Sequence, residues 1–228
     1  GSEMCIRDRS AGLGEERLTS HIIYPVHGRL PALQEDAYRP VLGQAPARPV
    51  RSALGVTFAT DGPEDRPLSD RCIIGFNAGP PVDPSFYNNN VQIVQNQDHV
   101  VILTEMVHDA RMVPLDGRPH TDEAIGLWTG DSRGHWDGDT LVVETRNFNG
   151  LTHSFFGLGS SENKLLVEKF TRIAVDRIDY EFNVIDPDTF TDQVVGLIPF
   201  YKVAGQVYEL SLIHISEPTR RRGISYAV

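Results

Sequence analysis

The stretch Ile178–Ile185, IDYEFNVI, decides the fold. Its apolar residues Ile178, Tyr180, Phe182 and Val184 alternate with Asp179, Glu181 and Asn183. Successive side chains of an extended chain point to opposite faces. This two-residue period therefore predicts a half-buried antiparallel strand, one face in a core and the other in water. Working outward, Leu165–Ile173 and Val194–Val203 flank it with further β-branched and aromatic runs, and Val207-Tyr208 ends the series. Thr140–Phe148 (TLVVETRNF) is introduced by Asp137-Gly138, a pair that turns the chain readily. Further upstream, Val91–Gln95 and Val100–Met106 are separated by the turn signal Asn96-Gln97-Asp98, and Arg111–Leu115 follows before Asp116-Gly117.

These runs amount to about eight strands joined by short turns, with almost no helix. The predicted fold is mainly β: an antiparallel meander, barrel-like and calycin-like. Closing a meander removes its exposed edges and can leave an interior for one small ligand. This β-domain is placed at 85–209. Residues 10–84 read as an irregular extended N-terminal arm lying across it, dense in Pro and Gly and poor in periodicity. Within the arm, Thr19–Val26 (TSHIIYPV) predicts a short strand, and Ala32–Arg39, bracketed by Pro31 and Pro40, a short helix.

The two ends are expected to be non-native. Gly1–Arg9 (GSEMCIRDR) and Leu210–Pro218 (LSLIHISEP) can be encoded by reverse-complementary DNA, and Ile224–Val228 fits the same kind of string. Unrelated protein ends have no physical reason to share that property, and both resemble translated sequencing-adapter DNA. Residues 1–9 and 210–228 are therefore set apart, and the stretch between them is expected to be a fragment truncated at both ends.

The full chain has 228 residues and a formal net charge of −10. That length suffices for one domain with a sizeable core. Setting the ends apart removes Arg7, Arg9, Arg220, Arg221 and Arg222 against Glu3, Asp8 and Glu217, so the balance becomes more acidic and the one arginine run disappears. An acidic chain lacks the basic face that phosphate binding needs, which argues against a nucleic-acid partner. No apolar run approaches about 18 residues, so no helix is expected to span a membrane. Two cysteines, Cys5 and Cys72, cannot staple a disulfide-dense scaffold. The phosphate-binding and dinucleotide glycine motifs and the CxxC pair are missing, and neither a cofactor nor a metal is implied.

The candidate chemistry gathers in EMVHDARMVPLDGRPH: Glu105, His108, Asp109, Arg111, Asp116, Arg118 and His120. A histidine beside a carboxylate can act as a general base, and an arginine can hold an anion or stabilise developing negative charge. The alternative is a solvated hairpin end with structural ion pairs. The spacing is not that of a metal site. Gly130-Asp131-Ser132-Arg133-Gly134 matches G-x-S-x-G, but a nucleophile elbow needs a strand before the serine and a helix after it. Here HWDGD and a strand follow, so the expectation is a glycine-bounded connection fixed by Asp131 and Arg133. The aromatic set Trp128, Trp136, Phe148, Phe155, Phe156, Phe170, Tyr180, Phe182, Phe200 and Tyr201 reads as core. Asn88-Asn89-Asn90 reads as a structural kink, because asparagine tolerates the left-handed conformation.

From Asp61 to Glu209 the chain resembles an uncharacterised, mostly exported family of bacterial proteins. The resemblance rests on GPEDRPLSDRCIIGFNAGPP (62–81), YNNNVQI (87–93), VVILTEMVHDARMVPLDGRPH (100–120), GDSRGHWDGDTLVVETRNF (130–148), GSSENKLLVEKFTR (159–172) and DYEFNVIDPDTF (179–190). TSHIIYPVHGRLPAL (19–33) is a weaker match. The resemblance implies a periplasmic or extracellular location. It also implies that Cys72 pairs with a cysteine of a downstream Cys, His, Glu and Asn motif that this sequence lacks. It supplies no reaction.

Three functional readings follow. The first is an exported small-molecule enzyme, hydrolase or lyase, using His108, Asp109, Arg111, Arg118 and His120 with Glu105, Asp131 and Arg133 at a barrel mouth. The second is a non-catalytic binding protein for a small apolar or sugar-like ligand. The third is a structural or interaction domain of the cell envelope.

Overall fold

The structure, a computed structural model, describes residues 2–8, 20–35, 37, 68, 71–74, 79–84, 88–151, 161–204 and 207. The strands are β1 (Ser2–Asp8), β2 (Ile22–Tyr24), β3 (Asn90–Gln95), β4 (His99–Thr104), β5 (Ala110–Pro114), β6 (Asp131–Asp137), β7 (Thr140–Arg146), β8 (Leu165–Ala174), β9 (Arg177–Ile185) and β10 (Val194–Lys202). All pair antiparallel in one sheet of order β5-β4-β3-β1-β10-β9-β8-β7-β6, with β2 added on β10. Two meanders are thus joined through β1. The first is the β3–β4–β5 ribbon and the second runs from β6 to β10. For β1 the pairing is described, with Ser2 opposite Gln95 on one side and Asp8 opposite Phe200 on the other. Such a ladder is held by backbone N–H and C=O groups, which every non-proline residue supplies.

The alternation in β9 is realised as read: Ile178, Tyr180, Phe182 and Val184 are buried between less buried neighbours. The same phase puts Leu166, Glu168 and Phe170 of β8 and Val194, Gly196, Ile198 and Phe200 of β10 inside. Val100, Val113, Val143, Leu166, Val184 and Val194 have no exposed surface. The aromatics divide accordingly. Phe148, Phe170, Tyr180, Phe182 and Phe200 lie in the core, whereas Trp136 is exposed. Phe155 and Phe156 lie outside the described residues.

Three expectations need correction. The sheet is not a closed barrel, because no ladder joins its end strands β5 and β6. They nevertheless approach closely: a Cβ at Gly134 would stand 2.7 Å from a Val113 methyl and 2.8 Å from one of Leu115. Of the segment expected as a connection, Gly130–Gly134, all but Gly130 belongs to β6, paired along its length with β7. In its described part, the helix expected near Ala32–Arg39 is replaced by chain that runs extended through Leu33 and then turns, with Ala37 N–H donating to Gln34 C=O at 3.2 Å. Leu33 bridges Phe190, Gln34 N–H donates to Thr189 C=O, and Thr191 N–H donates to Ala32 C=O. Docking on the β9–β10 turn satisfies these backbone groups from outside, where an isolated helical turn could not satisfy its own. Val207 is not in a strand, and Tyr208 lies outside the described residues.

Of the expected arm, only residues 20–35, 37, 68, 71–74 and 79–84 are described. Beyond β2, Pro80, Pro81, Val82 and Asp83 are buried. Asn88 has φ 55°, as the asparagine run leads one to expect.

One position on the ladder admits no side chain. Gly196 is paired with Phe182, whose ring covers it so closely that a Cβ would fall 2.2 Å from the ring tip. Gly196→Ala is expected to destabilise the chain by about 1–3 kcal/mol in denaturant unfolding, with most of the loss absent in a Phe182→Leu background.

Candidate functional site

The turn between β4 and β5 is tightly built. Thr104 N–H donates to Asp109 C=O at 2.9 Å, and Glu105 N–H to Asn90 C=O at 3.0 Å. The buried Glu105 carboxylate accepts from the Asn90 amide at 2.5 Å. Val107 (φ 61°) and His108 (φ 47°) are both left-handed, which is costly for a β-branched residue and marks a turn held by its surroundings. Beside it, burial raises the Asp109 carboxyl above the usual range, against the opposing pull of Arg111 and His108.

From this turn β5 carries Arg111 into the core. Its guanidinium crosses to β8 and holds Glu168 with both amino groups, at 2.5 and 2.9 Å. Arg111 is 7% exposed and Glu168 not at all. Tyr180 of β9 donates its hydroxyl to the same carboxylate at 2.7 Å and accepts the Val82 N–H at 3.1 Å. Its ring stacks on Phe200, with centroids 5.0 Å apart, and packs against Phe170 at 4.8 Å. Burial and the Glu168 charge together push the Tyr180 hydroxyl well above its ordinary pKa. Burial works against the Arg111 charge, but Glu168 outweighs it and raises the guanidinium. The result is a desolvated ion pair whose carboxylate receives three hydrogen bonds, the condition under which burying charge is tolerable.

The remaining candidates lie elsewhere. His120, Asp131 and Arg133 form a half-buried group at the start of β6. Asp131 accepts from Thr121 N–H at 2.9 Å and from Arg133 at 2.5 Å, and meets His120 Nδ1 at 3.2 Å. Burial raises the Asp131 carboxyl, but these hydrogen bonds outweigh it and hold the group low. The far ring nitrogen of His120 stands 3.4 Å from Glu144 on β7. Arg133 also donates to the Pro119 and Ser132 carbonyls, so it ties β6 to the preceding loop. Ser132 hydrogen bonds with Thr145 inside the sheet at 2.9 Å, and β6 leads into a turn rather than a helix. It is not a nucleophile elbow. Arg118 pairs with Asp116 on the surface and holds that carboxyl down to about 2. Such an exposed pair adds little to stability. The candidates thus divide into a core group, a β6 group and a surface pair.

Lys164 and Asp186 carry no local sequence signal and meet at one end of the sheet. Lys164, immediately before β8, is 5% exposed. Its ammonium donates to the Pro80 carbonyl at 3.3 Å and stands 4.8 Å from the centre of the Phe148 ring. Burial lowers its pKa to about 8, against the raising influence of Asp83, Asp186 and Glu168, while Arg111 lowers it further. Asp186 organises the neighbouring loop, accepting from Ser161 N–H, the Ser161 hydroxyl and Thr189 N–H. Lys164 and Phe148 also line a groove of about 520 Å³ at this end of the sheet. Its mostly polar wall includes Glu123, Arg146, Asn149 and Glu162. Two backbone devices shape it. Asn147 (φ 56°) donates its amide to the Thr121 and Asp122 carbonyls, and Leu127 bridges Phe148. Among the described residues, no group of three or more His, Cys, Asp or Glu side chains could hold a metal ion.

No protein-family model and no curated protein matches the chain.

The buried pair has a measurable signature. Glu168→Gln leaves Arg111 buried without its counter-charge and is expected to cost about 3–5 kcal/mol in chemical unfolding. Replacing both, Arg111→Met with Glu168→Leu, is expected to recover most of that loss. Lys164 gives a pH signature. Its folded pKa is depressed, so between about pH 8 and the ordinary lysine value the unfolded state binds more protons, and its contribution to stability rises with pH across that window. Unfolding free energies of the wild type minus those of Lys164→Met should climb by about 3 kcal/mol from pH 7.5 to pH 10.5.

Proposed function

We propose that this chain is a ligand-binding β-domain whose site is the groove over Lys164, and that it takes a small hydroxylated, sugar-like molecule. The observation that carries this reading is the groove itself. It combines room for a small molecule with amide, carboxylate and guanidinium groups and one buried aromatic ring. Polar groups around a single apolar wall are what a molecule with hydroxyls on its edges and C–H bonds on its faces requires. The groove lies where β7 ends and β8 begins, and most of its wall comes from the loops around these ends.

An interior ligand has less support, because the space inside the sheet is filled by Tyr180, Phe182, Phe200 and the aliphatic core. The hydrolase or lyase reading also has less support. Arg111 is committed to Glu168, and His120 with Asp131 belongs to a separate group on β6. The resemblance to exported bacterial proteins favours a site that meets extracellular or periplasmic solutes.

The test is calorimetric titration with a panel of monosaccharides and uronic acids. One member is expected to bind, with affinity lost in Ala124→Trp, which fills the exposed rim of the groove, and kept in His120→Ala. Undiminished binding by Ala124→Trp would move the site elsewhere.

A further inference from the structure

Resting on that reading of the groove, we propose that Lys164 is a carbonyl-reactive amine, and that the groove's ligand is an aldehyde-bearing polyol which Lys164 captures as an imine.

The geometry separates Lys164 from the other described lysines. Lys169 is paired on the surface with Glu181 at 2.9 Å, and Lys202 ends β10 in the open. Lys164 alone among them is buried, lies against an aromatic ring and forms part of a cavity wall. A carbonyl carbon entering the groove along Phe148 would therefore meet an amine fixed at one end by the Pro80 carbonyl. Charge supports the same role. The groups that act on this amine are Asp83 on the arm, Asp186 after β9, Glu168 on β8 and Arg111 on β5, and burial outweighs the carboxylates. With its pKa at about 8, roughly a tenth of the amine is uncharged at pH 7, several hundred times the fraction for an ordinary lysine. An amine must be uncharged to attack, so this matters directly.

The step balances without an oxidant or reductant. The lone pair of Nζ attacks the carbonyl carbon, and the carbonyl π electrons move to oxygen, which takes a proton as nitrogen gives one up. The hydroxyl of this carbinolamine is then protonated and leaves as water while C=N forms. Glu123 and Glu162 line the same groove, and water in it can carry the proton. The ring of Phe148 covers one side of the amine and limits water there.

The test uses the full chain with glycolaldehyde as probe, sodium cyanoborohydride to trap the imine, and mass mapping of the modified lysines. Lys164 is expected to be alkylated at least tenfold faster than Lys169 or Lys202, with the excess abolished in Ala124→Trp. Modification spread evenly over the lysines, or sparing Lys164, overturns the inference. Titration with sorbitol, a polyol without a carbonyl, separates the two readings. Sorbitol binding without Lys164 alkylation removes the imine alone. Lys164 alkylation without affinity for any sugar keeps the amine's reactivity and removes the sugar-binding reading. Neither binding nor alkylation removes both.

Discussion

A buried bidentate pair between Arg111 and Glu168 ties together the two halves of the core. It joins strands that are not neighbours in the sheet: Arg111 comes from the β3–β5 ribbon and Glu168 from the β6–β10 meander, whose backbones meet through β1. Tyr180 extends it to the arm through the Val82 N–H. Three separate stretches of sequence therefore converge on one carboxylate. Hydrophobic burial supplies most of the stability of such a sheet but does not choose among ways of packing its faces. A buried charge pair does choose, because any arrangement that separates the partners leaves a desolvated charge unpaired.

This division explains why a sheet that fails to close still encloses a core. The edges β5 and β6 are not hydrogen-bonded to each other, yet Gly134 lets Val113 and Leu115 press against β6, and Arg111 reaches across the interior from the same side. The arm contributes Val82 to the core and the Pro80 carbonyl to Lys164, so the polar groups at this end are shared between the arm and the sheet. The interior network and the groove are adjoining parts of one charge system, since Glu168 and Arg111 both act on the Lys164 amine.

Much of this was legible in the sequence, and particular residues show where legibility stopped. IDYEFNVI announced β9 because its period is unbroken, and Asn96-Gln97-Asp98 announced its turn, where the Asn96 side chain accepts the Asp98 and His99 N–H groups. β6 was not legible, because DSRGHWD carries no β-branched residue and its glycine answers to crowding from β5, a tertiary fact. Ala32–Arg39 failed for the complementary reason. Its prolines mark boundaries for a helix and for an extended arm equally well. Arg111 was identified as a functional candidate, but its partner was not. Glu168 shares its strand with apolar residues in both phases, Leu165 and Val167 as well as Leu166 and Phe170, so its inward direction could not be read. Lys164 precedes a strand with no local signal, and only the approach of Pro80 and Phe148 gives it meaning.

Through Arg111 and Tyr180 the carboxylate of Glu168 couples the arm, the β3–β5 ribbon and the β6–β10 meander into one cooperative unit. Native-state amide hydrogen exchange measures this directly, because the Val82 N–H is bonded to the Tyr180 hydroxyl and exchanges only when that contact opens. Val82, Ile102 on β4 and Tyr180 on β9 are expected to share one opening free energy and to lose protection together as denaturant is added. Exchange of Val82 and Ile102 through a separate opening, with Tyr180 still protected, would contradict it.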